Sequence, residues 1–263
     1  MRPPASPGFS LSRRDLLGAA VAASLSAPPR MRIETVLGPI APHALGTTLP
    51  HEHVLVDFIG ADKIGPHRWD RQEVHNTLLP RLLEAKRQGV QAFVDCTPAY
   101  LGRDARLLRE LARSSGLHIL TCTGLYKEPY LPPYAFTDSA DALAARWVSE
   151  ARDGIDGSEV RPGFIKIAVN PGGLIPIQQK IVRAAARCSR RTGLAIACHS
   201  GSGTATMEAL AILREEGLPA ERFIFVHADA EPDRKWHLEA ARGGAWVEYD
   251  SVGWRPIQEH VDL

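Results

Sequence analysis

Residues 163–201 read "GFIKIAVNPGGLIPIQQKIVRAAARCSRRTGLAIACHSG". A short β-rich run, Gly163 to Asn170, precedes a helical pattern that closes at Gly193, and a second β-rich run follows. Glycine is the residue that tolerates the left-handed conformation after a helix end. Strand, helix, strand in this order describes parallel strands joined by a helical crossover. The same alternation extends in both directions. Further β-rich runs are "TLPHEHVLVDF" (48–58), "VQAFVDCTP" (90–98), "HILTCTGLY" (118–126), "RFIFVHAD" (222–229) and "AWVEYDSVG" (245–253). Between them lie helical patterns that end at Gly89, Gly116, Gly154, Gly217 and Gly243. The first opens with Asp70 and Glu73 as a capping box, and its Pro80 is expected to bend or break it. Seven strands in series suit a (β/α)8 TIM-type barrel, with seven of eight strands present, better than an open doubly wound sheet. No boundary signal divides residues 28–263, which are read as one domain.

The chain has 263 residues, 31 of them basic and 30 acidic. This balance argues against a nucleic-acid-binding surface, which would be strongly basic. No apolar run approaches the roughly 20 residues that span a bilayer. The segment "SLSRRDLLGAAVAASLSAPP" (10–29) places Arg13 and Arg14 before a stretch of small apolar residues. It reads as a twin-arginine signal peptide over residues 1–27, cleaved near Ala27, with a periplasmic or secreted mature protein. The alternative is a basic, alanine-rich helix belonging to the fold. Cys96, Cys122, Cys188 and Cys198 form no CxxC pair, and no disulfide is expected among them.

In a barrel of this class, function gathers at the C-terminal ends of the strands. His51 and His53, two apart, share one face of the first strand. Lys166 sits within the fourth, His199 ends the fifth and His227 ends the sixth. Each alone could be a hydrogen-bonded polar residue at a strand end. Four histidines at matching positions on three strands point instead to a metal centre. Lys166 lies among Ile165, Ile167, Ala168 and Val169, where burying an ammonium is costly. It either snorkels to the barrel mouth or pairs with an acid, or it reacts with carbon dioxide to give a carbamate able to bridge two cations.

These motifs, "GTTLPHEHVLVDF", "FVDCTPAYLGRD", "TCTGLYKEP", "FIKIAVN", "IACHSG", "FIFVHAD" and "GGAWVEYDSVG", resemble those of the phosphotriesterase family of the amidohydrolase superfamily, over about residues 33 to 253. The resemblance implies a (β/α)8 barrel with two divalent metal ions, usually zinc. His51 and His53 would hold one, His199 and His227 the other, and carboxylated Lys166 would bridge them with a hydroxide. It implies a hydrolase of phosphotriesters, lactones or related small-molecule esters, in which that hydroxide attacks the polarised bond. Tyr126 matches a position lining the leaving-group pocket. Asp250, ending the seventh strand, is expected near the site, with a structural hydrogen bond at the barrel mouth as its role. The resemblance also allows a homodimer.

The family's strand-eight aspartate, a metal ligand and proton acceptor, has no counterpart here. The tail "WRPIQEHVDL" ends at Asp262 and Leu263, before any eighth strand could form. A C-terminal truncation is the expectation, with a swapped strand or a catalytically impaired metal-binding protein as alternatives. A further reading, a nucleotide-binding oxidoreductase, rests on "HSGSGTAT" (199–206). There Gly201 and Gly203 follow a strand, but Thr206 stands at the third glycine position and Glu221 is only loosely placed as a ribose acid.

Overall fold

The computed structural model describes residues 31–254 and 256–261. The expected signal segment 1–27 and Asp262 lie outside them. The first elements were not anticipated. Strands β1 (Ile33–Thr35) and β2 (Gly38–Ile40) form an antiparallel hairpin with Ile33 opposite Ile40. Gly38 turns it at φ +112°, a conformation that favours glycine. The Thr35 hydroxyl donates to the Gly38 carbonyl at 2.7 Å, closing the turn. Val36 N–H donates to the Ile119 carbonyl at 2.8 Å and ties the hairpin to the parallel strands.

Those parallel strands are β3 (Thr48–Glu52), β4 (Ala92–Asp95), β5 (His118–Leu120), β6 (Cys122–Thr123), β7 (Phe164–Ala168), β8 (Ile196–His199), β9 (Phe223–Val226) and β10 (Trp246–Val247). One sheet has the order β3-β4-β5 and the other β10-β9-β8-β7-β6. Only Thr121 separates β5 from β6, so the two are one chain segment that changes partners. Its first half pairs with β4 and its second with β7. At the change-over Thr121 accepts the Gly163 N–H at 2.8 Å. The seven strand positions expected from the alternation therefore occur in sequence order, all parallel. The chain has the α/β architecture of a TIM-type barrel, and among the described residues β3 and β10 are not paired with each other. These elements belong to one compact unit, Arg32–Leu263.

The crossover helices are α1 (Arg71–Arg87), α2 (Ala105–Ser115), α3 (Pro133–Thr137), α4 (Ala140–Asp153), α5 (Pro176–Thr192), α6 (Gly203–Glu215) and α7 (Lys235–Arg242), and a short α8 (Ile257–Val261) follows β10. None is long and apolar enough to cross a membrane. Asp70 caps α1 by accepting the Glu73 N–H at 2.9 Å, as its sequence predicts. The helix then runs unbroken through Pro80. Pro80 and Asn76, whose carbonyl loses its usual donor, both lie on the exposed face, where solvent takes the freed group. Gly116 and Gly193 close α2 and α5 at φ +68° and +81°.

The strands alternate between two apolar layers. Ile165 and Ile167 of β7 face the helices, in one cluster with Trp147, Ile181 and Ala185. Phe164, Leu120, Ala197 and Val226 fill the inner layer. Each fully buried Ile or Phe contributes roughly 1.5–3 kcal/mol. All four cysteines are buried free thiols.

One polar device fastens the shell. The Arg103 side chain is 2% exposed. It donates to Glu150 of α4 at 2.7 Å, to Asp156 at 2.8 Å and to the Cys122 carbonyl of β6 at 3.0 Å. Burial opposes its charge, but the two carboxylates outweigh that and hold it firmly protonated. Arg103→Ala leaves two partly exposed carboxylates and strips the buried Cys122 carbonyl of its donor, so it is expected to lose about 1–3 kcal/mol in urea unfolding. Arg103→Lys, which cannot serve two acids and a carbonyl at once, should recover only part of it.

Candidate active site

The site begins where β3 ends. The pairing of β3 with β4 shifts register between Leu49 and Glu52. Beyond the shift, the backbone of Val54 donates to Asp95 at 2.8 Å, and Thr97 N–H donates to the other oxygen of the same carboxylate at 3.0 Å. Asp95 thus clamps the ends of two neighbouring strands. Thr97 in turn lies 2.8 Å through its hydroxyl from His53 Nδ1. Burial pushes the Asp95 carboxyl up to about 6 against the pull of its N–H donors.

His51 turns inward from β3, with a side chain 4% exposed. Lys166, 1% exposed in the middle of β7, lies with its Nζ 3.1 Å from His51 Nε2. Gly124 makes this burial sterically feasible. It adopts φ +107°, and a Cβ there would lie 2.0 Å from the Lys166 carbonyl oxygen. His199 ends β8, and its ring lies against Tyr126, whose hydroxyl is 3.2 Å from Nε2. His227 follows β9 in the left-handed region at φ +61°. A non-glycine residue there is uncommon and carries a modest strain, a pattern that clusters at functional sites. The turn is held because Ala228 N–H donates to the Glu248 carbonyl at 2.9 Å.

The five predicted residues converge. Ring centroids are 5.5 Å apart for His51 and His53, 4.6 Å for His51 and His227, and 4.5 Å for His199 and His227. The shortest approaches to a carboxylate cross the expected pairing. Asp250 Oδ2 is 2.6 Å from His227 Nδ1 and 3.0 Å from His51 Nδ1. These three residues offer ligand atoms within 4.8 Å of one another. Asp250 is therefore part of the cluster rather than a support at the rim. Tyr126 stands beside His199, at the edge of the same cluster.

Electrostatics sharpen the picture. Burial, then the charges of His51, Lys166 and His227, press His53 down to about 3. Burial, then His227, Lys127 and Lys166, press His199 down to about 2. Both rings are thus neutral, the form that coordinates a cation. For His51, burial and Lys166 oppose protonation, but Asp250, Cys96 and Glu248 outweigh them and raise it to about 10. Burial raises Asp250, yet His227 and His51 hold it below the usual carboxylate range.

The donor set fits a divalent cation. His51 Nδ1, Glu248 Oε1 and Asp250 Oδ2 are buried and make no hydrogen bond of acceptable geometry, although they face one another. Buried polar atoms are normally satisfied, and His51 and Asp250, which with His227 bring ligand atoms within 4.8 Å of one another, form a candidate metal site. Glu248, Asp95 and Thr97 were not among the predicted site residues. The spacing of Glu248 and Asp250, two apart in a β-rich run, was the available signal for the first. Gly203, from the glycine-rich stretch, donates its N–H to Glu231 at 2.8 Å. A carboxylate thus fills the helix start where a nucleotide phosphate would sit.

Comparison with known proteins resolves the ancestry. The model of the Phosphotriesterase family matches residues 31–262. The chain belongs to the phosphotriesterase family. It is 30% identical over 209 residues to the phosphotriesterase homology protein of Escherichia coli, covering 79% of this chain and 70% of that one. It is 29% identical to the aryldialkylphosphatase of Saccharolobus solfataricus, covering 80% and 67%. It is 27% identical to an N-acetyltaurine hydrolase of Tetraodon nigroviridis, covering 88% and 76%. A solved variant of the organophosphorus hydrolase from Deinococcus radiodurans superposes with a TM-score of 0.75 at 30% identity, over 84% of this chain and 68% of that one. These phosphotriesterase-family relatives include named hydrolases, and the structural match extends the family likeness to the TIM-type barrel.

The Asp95 clamp gives this family member a measurable pH signature. A folded-state value raised from the ordinary 3.8 to about 6 means that the stabilising contribution is full below 3.8 and is lost as pH rises through about 6. The stability advantage of wild type over Asp95→Asn should therefore shrink between about pH 4 and 7, by on the order of 3 kcal/mol at most. Urea unfolding at stepped pH measures it. An advantage that grows with pH would show instead that the two N–H donors favour the ionised carboxylate.

Proposed function

We propose that this chain is a binuclear divalent-metal hydrolase of small-molecule esters, with phosphotriesters and lactones as its substrate classes. The observation that carries the reading is the convergence of His51, His53, Lys166, His199 and His227 from four strands onto one cluster, with Asp250 among them. These are the residues that would hold the two ions, Zn2+ in the first instance. When bound, such ions polarise a P=O or C=O bond and make water acidic enough to attack near neutral pH.

The protein's own groups do the rest. His53 and His199, pressed towards the neutral form, keep lone pairs for coordination. Thr97 fixes the ring of His53 through Nδ1, leaving Nε2 to face the site. Lys166 as an ammonium would set an N–H against a protonated His51 across 3.1 Å, which is repulsive. Reaction of its amine with carbon dioxide forms an N–C bond, releases one proton and leaves a carbamate anion. That change replaces the repulsion with attraction and gives the buried position two oxygen donors. Tyr126 presents its hydroxyl beside His199 and its ring to Phe58 and Tyr130, so it borders an aromatic wall suited to an apolar leaving group. Asp250, held ionised between two imidazoles, adds an anionic oxygen donor to the set. The N-acetyltaurine hydrolase among the relatives adds an amide to the substrates worth testing.

Elemental analysis of the purified full chain is expected to find about two divalent ions per molecule. Hydrolysis of a chromogenic phosphotriester, a lactone and an N-acetyl amide should be strongest for an ester. His199→Ala should lose metal and drop turnover by roughly 100-fold or more. A chain that holds no metal after growth and dialysis with zinc, or whose turnover ignores His199→Ala, would overturn the proposal.

A further inference from the structure

We propose that Lys127 selects substrates that carry an oxyanion, a carboxylate or a sulfonate, apart from the bond that is cleaved. The inference rests on the hydrolase reading above and deepens it by naming a feature of the substrate.

Lys127 follows Tyr126 in the loop that leaves β6. Its Nζ donates to the Val169 carbonyl at 3.3 Å. Val169 in turn donates its N–H to the His199 carbonyl at 2.9 Å. The ammonium therefore sits on the residue bonded to His199, where β7 and β8 end. Tyr126 touches both groups. Its ring centroid is 5.6 Å from Lys127 Nζ and 5.2 Å from the centroid of His199.

This ammonium is half-buried and forms no ion pair among the described residues. It carries three donors, and one long hydrogen bond to a carbonyl occupies one of them. The neighbouring acid does not take the others. Glu128 attracts the amine, but its Oε1 accepts from Asn170 and from Gln178, each at 2.7 Å. A partly desolvated cation with donors to spare is a receptor for an anion, because charge-assisted hydrogen bonds strengthen as water is withdrawn.

The charges of the cluster are unevenly spread. Asp250 approaches His51 and His227, and Glu248 approaches His51. The lysine stands by His199. An anionic tail is repelled from the first pair and drawn to the second, which orients the molecule that bears it. Tyr126 also meets Phe58 and Tyr130, so an apolar group on the same substrate finds a partner of its own. A lysine is a point charge without a planar fork, so it accepts a carboxylate and a sulfonate alike.

The competing role for Lys127 is to cap the Val169 carbonyl while its stem packs on Tyr126. Three para-nitrophenyl esters separate the two, with the same acyl chain ending in a carboxylate, a sulfonate or a methyl group. Steady-state kinetics of the zinc-loaded full chain should give the anionic esters a kcat/KM roughly tenfold above the methyl ester, through KM. In Lys127→Met, which keeps the stem, that ratio should fall about tenfold, and Lys127→Arg should retain it. Loss of folded protein lowers all three rates together and leaves the ratio readable. A ratio that is the same in wild type and Lys127→Met overturns the inference. So does a preference confined to the carboxylate that survives in Lys127→Met, which marks coordination by metal. Should no ester be turned over, the hydrolase reading fails, and saturation-transfer NMR with propanesulfonate and neutral propanesulfonamide decides the anion site. Sulfonate binding that weakens in Lys127→Met supports it, and equal signals from wild type and variant overturn it.

Discussion

A primary amine at the centre of a fully buried strand is the constraint around which this molecule is arranged. Lys166 is enclosed by β6 and β8 on either side and by His51 across the interior. A charge removed from water is costly unless something of opposite sign or matched hydrogen bonding receives it. Its side-chain partner among the described residues is an imidazole, which compensates it poorly. Around it stand four histidines with strongly opposed behaviour: two are pressed towards neutrality, and His51 is drawn towards its cationic form by Asp250 and Glu248. An interior this polar is expensive for a barrel of otherwise apolar strands.

The backbone supports the cluster at a distance. Asp95 joins the ends of β3 and β4, the Glu248 carbonyl braces the turn at His227, and Arg103 ties β6 to α4 and the Asp156 loop. They set the positions of the clustered side chains, which is what rigid elements contribute to a site assembled from several strands. The left-handed backbone at His227 and the register shift before His53 are local irregularities of the kind that aim a side chain where regular geometry would not.

Much of this arrangement was legible in the amino-acid order. The alternation of β-rich and amphipathic runs announces the parallel strands, and Lys166 stands out because an ammonium is unexpected in "FIKIAVN". His51, His53, His199 and His227 could be singled out because strand ends are where such a fold keeps its chemistry. Glu248 was harder. A glutamate near a strand end has ordinary solvent-facing explanations, and only contact with a strand far away in sequence gives it meaning. Asp250 was placed near the site, but its close approach to His51 and His227 joins segments far apart in sequence. The β1–β2 hairpin escaped because two three-residue strands, one of them opening with Gly38-Pro39, carry too little pattern. The split between β5 and β6 is invisible in "HILTCT", since both halves have the same composition and differ only in which neighbour they pair with.

Gly124 has an implication for the history of such a molecule. Its missing side chain is the room in which the Lys166 peptide sits. Even alanine there would drive a carbon into a carbonyl oxygen, and the collision would fall on backbone, which has no rotamer by which to escape. A library randomised at this codon should return one surviving letter, while the loop residues a few positions on drift freely. Descent can therefore remodel the loops above the barrel without touching the hollow beneath its lysine, and the least conspicuous residue of the barrel is among those with the least freedom to change.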